Sequence, residues 1–204
     1  MATKYGYSDL REQLLHSLKD AYPTKWEACQ NTSVFGEDVF ESPKPHPNAV
    51  LNLFLDQKVR FAMPVAAYRA GLGGFSSLIS YDPGLTLPRL ALGSIFRGMD
   101  VIRSEVSQRT YSIVCNMSLK GCRNGKCVVN GGGYSPERRL KGLDEMYDVM
   151  VRRDKGDVLA SLSFGDLVCV DCATMVEKEY GRLRAVIWEN LPRIFRVGNS
   201  WEDV

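Results

Sequence analysis

Six cysteines occur in the 204-residue chain, and four of them stand in two pairs: Cys122 and Cys127 in GCRNGKC, Cys169 and Cys172 in VCVDC. Two thiols separated by two to four residues suit a tetrahedral ion, because a tight turn brings both sulfurs within about 4 Å of each other. Asn124 and Gly125, inside the first pair, are residue types that readily take the left-handed backbone such a turn needs. The second pair falls where a helix is expected to start, and there the helix dipole and free N–H groups favour thiolates. Together the spacing predicts a closed, structural Zn2+ site with Cys122, Cys127, Cys169 and Cys172 as ligands. The gap from Cys127 to Cys169 is longer than the roughly 12 to 20 residues of compact zinc modules. The metal would therefore staple together segments with folded structure between them.

Other uses of the thiols make different demands. A dithiol redox centre at Cys169 and Cys172 calls for a βαβ setting, which the surrounding pattern lacks. Disulfides call for an oxidising compartment and a secretion signal, and MATKYGYSDLREQLL has no apolar core of that kind. Plain buried thiols remain the alternative, and Cys29 and Cys115 fit it best. A catalytic zinc would keep an open position and take histidine or carboxylate ligands. The deaminase pattern is absent, since His46 is followed by Pro47 and Asn48 and no proline precedes Cys169. G-x-S-x-G, H-E-x-x-H and G-x-x-x-x-G-K-[ST] are absent as well. His16 reads as a structural histidine beside the carboxylates Glu12 and Asp20.

The elements that must carry these residues are mostly helical. Leu10, Leu14, Leu15 and Leu18 form one stripe over residues 8 to 20. Residues 31 to 47 carry three prolines and scattered acids, which predicts an exposed loop. Helical spacing returns with Asn48 as cap and Val50, Leu51, Phe54 and Leu55 facing inward, and a short helix follows from Pro64 to the glycines of residues 71 to 74. Thr86 is the expected cap of a longer helix carrying Leu90, Ala91, Ile95, Met99, Ile102 and Val106. YSIVCNM, residues 111 to 117, is the one strand-like piece, with KCVVNGGGY as its hairpin partner or a loop. A helix from Pro136 to about Met150 and a last long helix from about Cys169 to Leu191 complete the chain, the latter ended by Pro192. The reading is a mainly α protein with a helical region over 1–115 and a four-cysteine, zinc-stapled C-terminal region over 116–204.

Composition narrows the functional classes. The chain is 45% hydrophobic and 25% charged with net charge +2, close to an average globular protein and too weakly basic to imply nucleic acid or membrane by charge alone. No run is long and apolar enough to span a bilayer, so the expected setting is intracellular, cytoplasmic or nuclear.

Several stretches, in order, resemble a known family: KYGYSDLR, AMPVAAYRAG, LPRLALGSIFRG, LVCVDC and RAVIWENLPRIF. They are similar to the region after the BTB/POZ domain in the BTB-containing proteins of mushroom-forming fungi. The matching positions are Lys4, Tyr5, Leu10 and Arg11; Met63, Pro64, Ala66 and Tyr68; Cys169 and Cys172; and Arg184, Trp188, Leu191, Pro192 and Phe195. The family's closing F-G-L is F-R-V here, and the BTB domain itself is missing from the chain. The resemblance implies a helical, BACK-like bundle and a role in protein–protein interaction.

The leading expectation is thus a non-enzymatic, zinc-stabilised scaffold that presents a surface to a protein partner. A nucleic-acid-binding zinc module is the alternative, motivated by Lys120, Arg123, Lys126, Arg138, Arg139, Lys141, Arg152 and Arg153. Those eight cations are set against five acids, Glu137, Asp144, Glu145, Asp148 and Asp154, the pattern of a solvated mixed face. A hydrolase or transferase is the third class, and it would need carboxylates converging in a cleft.

Overall fold

The structure, a computed structural model, describes residues 8–31, 45–120, 127, 135–151 and 168–204. Every regular element among them is helical, so the protein is mainly α. In order these are α1 (Ser8–Ala21), α2 (Trp26–Asn31), α3 (Pro47–Gln57), a 3-10 turn (Arg60–Ala62), α4 (Met63–Leu72), α5 (Gly74–Leu78), α6 (Arg89–Lys120), α7 (Pro136–Val151), α8 (Val170–Glu189), α9 (Leu191–Ile194) and a final 3-10 turn (Trp201–Asp203). None of these helices is long and apolar enough to cross a membrane. Most of the expected 31–47 loop, and both the first cysteine turn and the KCVVNGGGY segment apart from Cys127, lie outside the described residues. The chain forms two compact units, interleaved along the sequence: one joins Met1–Met99 to Trp188–Val204, the other is Asp100–Ile187.

The first unit is organised around α4. Val65, Ala66, Ala67, Tyr68 and Ala70 are all buried, so the helix is apolar nearly all round, as a central helix must be. Leu51 and Phe54 of α3 add to this core, and Tyr22 meets Phe54 edge-on at 5.0 Å. The α1 stripe is looser than its spacing predicts, with Leu14 exposed. Residues from opposite ends of the sequence finish the unit. Trp188 is wholly buried, donates its indole N–H to the Thr24 carbonyl at 3.1 Å, and lies 5.8 Å from both Trp26 and Trp201. Phe195 packs so closely over Gly98 that a β-carbon there would sit 2.5 Å from the ring, which accounts for glycine in the middle of α6.

Two expected caps are replaced. His46, not Asn48, caps α3: its Nδ1 accepts the Asn48 N–H at 3.2 Å, and Pro47 occupies the first helical position, where no N–H is required. The Asn48 side chain is thereby released for another task. It is 1% exposed and donates to the carbonyls of Ser77 (2.9 Å) and Leu85 (3.1 Å), while Asn52, one turn on, donates to the Thr86 carbonyl at 3.0 Å. Thr86 likewise caps nothing; its hydroxyl donates to the carbonyls of Ser80 and Asp82, and α6 begins at Arg89. Leu90, expected on the inner stripe, is 90% exposed.

Asn48 therefore ties the loop before α6 to α3 through a donor that only an amide supplies. Asn48→Ala is expected to destabilise the protein by about 2 kcal/mol, since it strands buried carbonyls. Asn48→Asp is expected to cost more, because it places a carboxylate against acceptors. Urea midpoints followed by circular dichroism check the order, and an Asp variant as stable as the Ala variant would refute it.

In the second unit, Ile102, Val106 and Thr110 of α6 and Val176, Tyr180, Leu183 and Ile187 of α8 are buried. YSIVCNM is helical, contrary to the strand reading. Ile102, Val106, Thr110 and Ile113 continue one 3.6-residue stripe, and each residue added to an existing helix gains a hydrogen bond without a new nucleus. That gain outweighs the modest helix penalty of Ile113 and Val114. The described residues contain no strand. The α7 helix spans its expected residues, although Leu140 faces solvent.

Candidate metal centre

The cysteine cluster is built at the start of α8. Cys169 immediately precedes the helix, and its carbonyl accepts the Ala173 N–H at 2.9 Å, so it occupies the capping position. Cys172 lies in the first turn, three residues on, which places both sulfurs on the same side of the helix start. Cys127 comes from far upstream and is wholly buried. The Sγ atoms of Cys127, Cys169 and Cys172 all lie within 4.8 Å of one another. In a tetrahedral zinc thiolate with bonds of about 2.3 Å the sulfurs stand about 3.8 Å apart, so small side-chain rotations suffice to seat an ion.

Two further features suit thiolate ligands. The Cys169 backbone N–H donates to the Cys127 sulfur at 3.0 Å, a contact that orients that sulfur toward the other two. Val168 and Val176, both buried, flank the cluster in sequence. All three residues are thiols rather than disulfides. The ligand-type atoms gathered among the described residues are all sulfur, with no carboxylate or imidazole in the group. Three of the four predicted ligands are thus brought together, and they can hold a metal ion. Cys122, the fourth, lies outside the described residues, as do the side chains of Cys29 and Cys115.

Sequence reasoning missed a second feature of the same unit, an open cleft of about 520 Å3. Ile113, Val176, Leu183 and Val186 give it an apolar lining, and Glu105, Arg109, Glu179 and Arg182 give it charge. Its carboxylates do not converge: Glu105 is bound by Arg109 at 3.2 Å and Glu179 by Arg182 at 2.6 Å, each within its own helix. Nearby, Arg184 is 5% exposed, pairs with Glu177 and lies 5.5 Å over the Tyr180 ring. Buried arginine is retained only with such partners. The i, i+7 spacing of Glu177 and Arg184 on one helix face was the available signal.

The other singled-out residues take structural positions. His16 faces solvent beside Asp20 at 3.1 Å, and Tyr68 and Phe195 are core residues. Of the basic set, Arg138 and Lys141 are described and exposed, with Lys141 3.8 Å from Glu145. Arg123, Lys126, Arg152 and Arg153 lie outside the described residues. No protein-family model, no curated protein and no solved structure matches the chain.

Proposed function

We propose that the chain is a non-enzymatic helical scaffold, stabilised by one structural Zn2+ on Cys122, Cys127, Cys169 and Cys172, that presents a surface to a protein partner. The observation that carries this reading is the convergence of Cys127 on Cys169 and Cys172 in an all-sulfur group. Four thiolates close the coordination sphere, and a closed sphere stabilises a fold instead of activating water. Zinc suits such a set because thiolates select soft or borderline ions over magnesium and calcium. The motif resemblance to the post-BTB region of fungal BTB proteins supports a BACK-like bundle and the interaction role.

Native mass spectrometry of the purified chain tests it. One zinc per chain is expected; a fully helical preparation with no bound metal would refute the site. A mobility-shift assay with mixed-sequence DNA and RNA separates the scaffold from the nucleic-acid alternative. The scaffold gives no shift, whereas phosphate-driven binding gives one that falls steeply between low and moderate salt.

A further inference from the structure

We propose that Cys169 and Cys172 are a peroxide-oxidisable pair whose disulfide expels the bound metal, so that the site is regulated by hydroperoxides. This inference rests on the metal-site reading above. Its basis is the unequal setting of three sulfurs that lie within 4.8 Å of one another: Cys127 is 0% exposed, whereas Cys169 and Cys172 at the helix start are both more accessible, Cys169 the more so. An aqueous oxidant therefore meets Cys169 first. Cys127, enclosed and already accepting the Cys169 N–H, is the poorest placed to respond. Cys172 is the natural second thiol. The ring it closes spans only four residues, so little chain entropy opposes closure. Rotation of two side chains in one helical turn brings the sulfurs to the bonded distance of about 2.05 Å.

The chemistry balances with a hydroperoxide as oxidant. The Cys169 thiolate attacks one oxygen of hydrogen peroxide, the O–O bond breaks, and the departing oxygen takes a proton and leaves as water. Cys169 is then a sulfenic acid. The Cys172 thiolate attacks that sulfur, the S–O bond breaks, and hydroxide leaves and is protonated to a second water. Two sulfurs lose two electrons in all, one peroxide gains them, and two protons come from solvent. The disulfide withdraws two of four thiolates, and the two that remain cannot retain the ion.

The experiment is a graded hydrogen peroxide titration of the purified full chain, with metal content measured first. Released zinc is read with a chromogenic chelator, and disulfides are read by alkylation and peptide mapping. The expected first linkage is Cys169–Cys172, with bound zinc falling about tenfold as it completes, and with dithiothreitol plus zinc restoring both. A first linkage through Cys127, or a chain whose other thiols oxidise while Cys169–Cys172 stays reduced, would overturn the pairing. A complete Cys169–Cys172 linkage with zinc retained would overturn the release. A preparation with no metal from the outset overturns the metal reading and the release together, while the peptide map still decides the thiol pair by the same criterion.

Discussion

Cys172→Ser is expected to leave purification with bound zinc reduced about tenfold or more, and with the Asp100–Ile187 unit melting broadly at a lower temperature. The magnitude follows from what structural zinc contributes. In zinc-finger peptides the metal is worth about 10–16 kcal/mol at neutral pH, against about 5–15 kcal/mol for the whole net stability of a typical domain. Serine removes one thiolate and leaves three, so part of the affinity remains, but the closed sphere is gone. The substitution also changes a buried side chain, Cys172 being 8% exposed, and that packing effect alone would be small. A chelator separates the two contributions. If the effect runs through the metal, chelated wild type and chelated variant melt within a few degrees of each other, while the untreated proteins differ widely. Unchanged zinc stoichiometry in the variant would sink the assignment.

Trp188→Ala is the second large effect, and it falls in the other unit. Removing a wholly buried tryptophan is expected to cost about 4 kcal/mol through lost apolar transfer and the cavity left between Trp26 and Trp201. The Thr24 carbonyl also loses its donor. Against a typical net stability of about 5–15 kcal/mol, that loss brings the unit close to unfolding. Trp188→Phe keeps most of the ring stack and gives up the N–H, so its cost should be smaller, with about 1 kcal/mol from the hydrogen bond. Urea unfolding followed by far-ultraviolet circular dichroism is the appropriate readout, since the substitution removes a fluorophore. An alanine variant within 1 kcal/mol of wild type would show that the tryptophan cluster is not the closing contact of the unit.

Much of this architecture was legible before any coordinates, and the reasons are local. The long stripes of α6 and α8, Pro64 near the start of α4 and Pro136 at the head of α7 are signals read within a few residues. The second cysteine pair was legible for the same reason: Cys169 and Cys172 sit at a recognisable helix start, and spacing alone brings them together. What local pattern misjudged was decided at a distance. Asn48 looks like a cap but is drawn inward by the Ser77 and Leu85 carbonyls, and His46 takes the cap. YSIVCNM has strand-like composition, yet it continues a helix begun more than twenty residues upstream. Leu90 has the right spacing to be buried, but the described residues leave it facing water. The cleft depends on how side chains of two helices meet, which no single stretch encodes.

The interleaving of the two units has a consequence for biosynthesis. A ribosome delivers Thr24 and Trp26 early, but Trp188, against which they are sealed, emerges only after all of Asp100–Ile187 has been made. At about 5–20 residues per second that is a delay on the order of ten seconds. Throughout that interval the apolar surfaces of α3 and α4 lack the Trp188–Val204 segment that completes their unit. The first unit can therefore close only once the Trp188–Val204 segment has been delivered, whereas the second unit is contiguous in sequence.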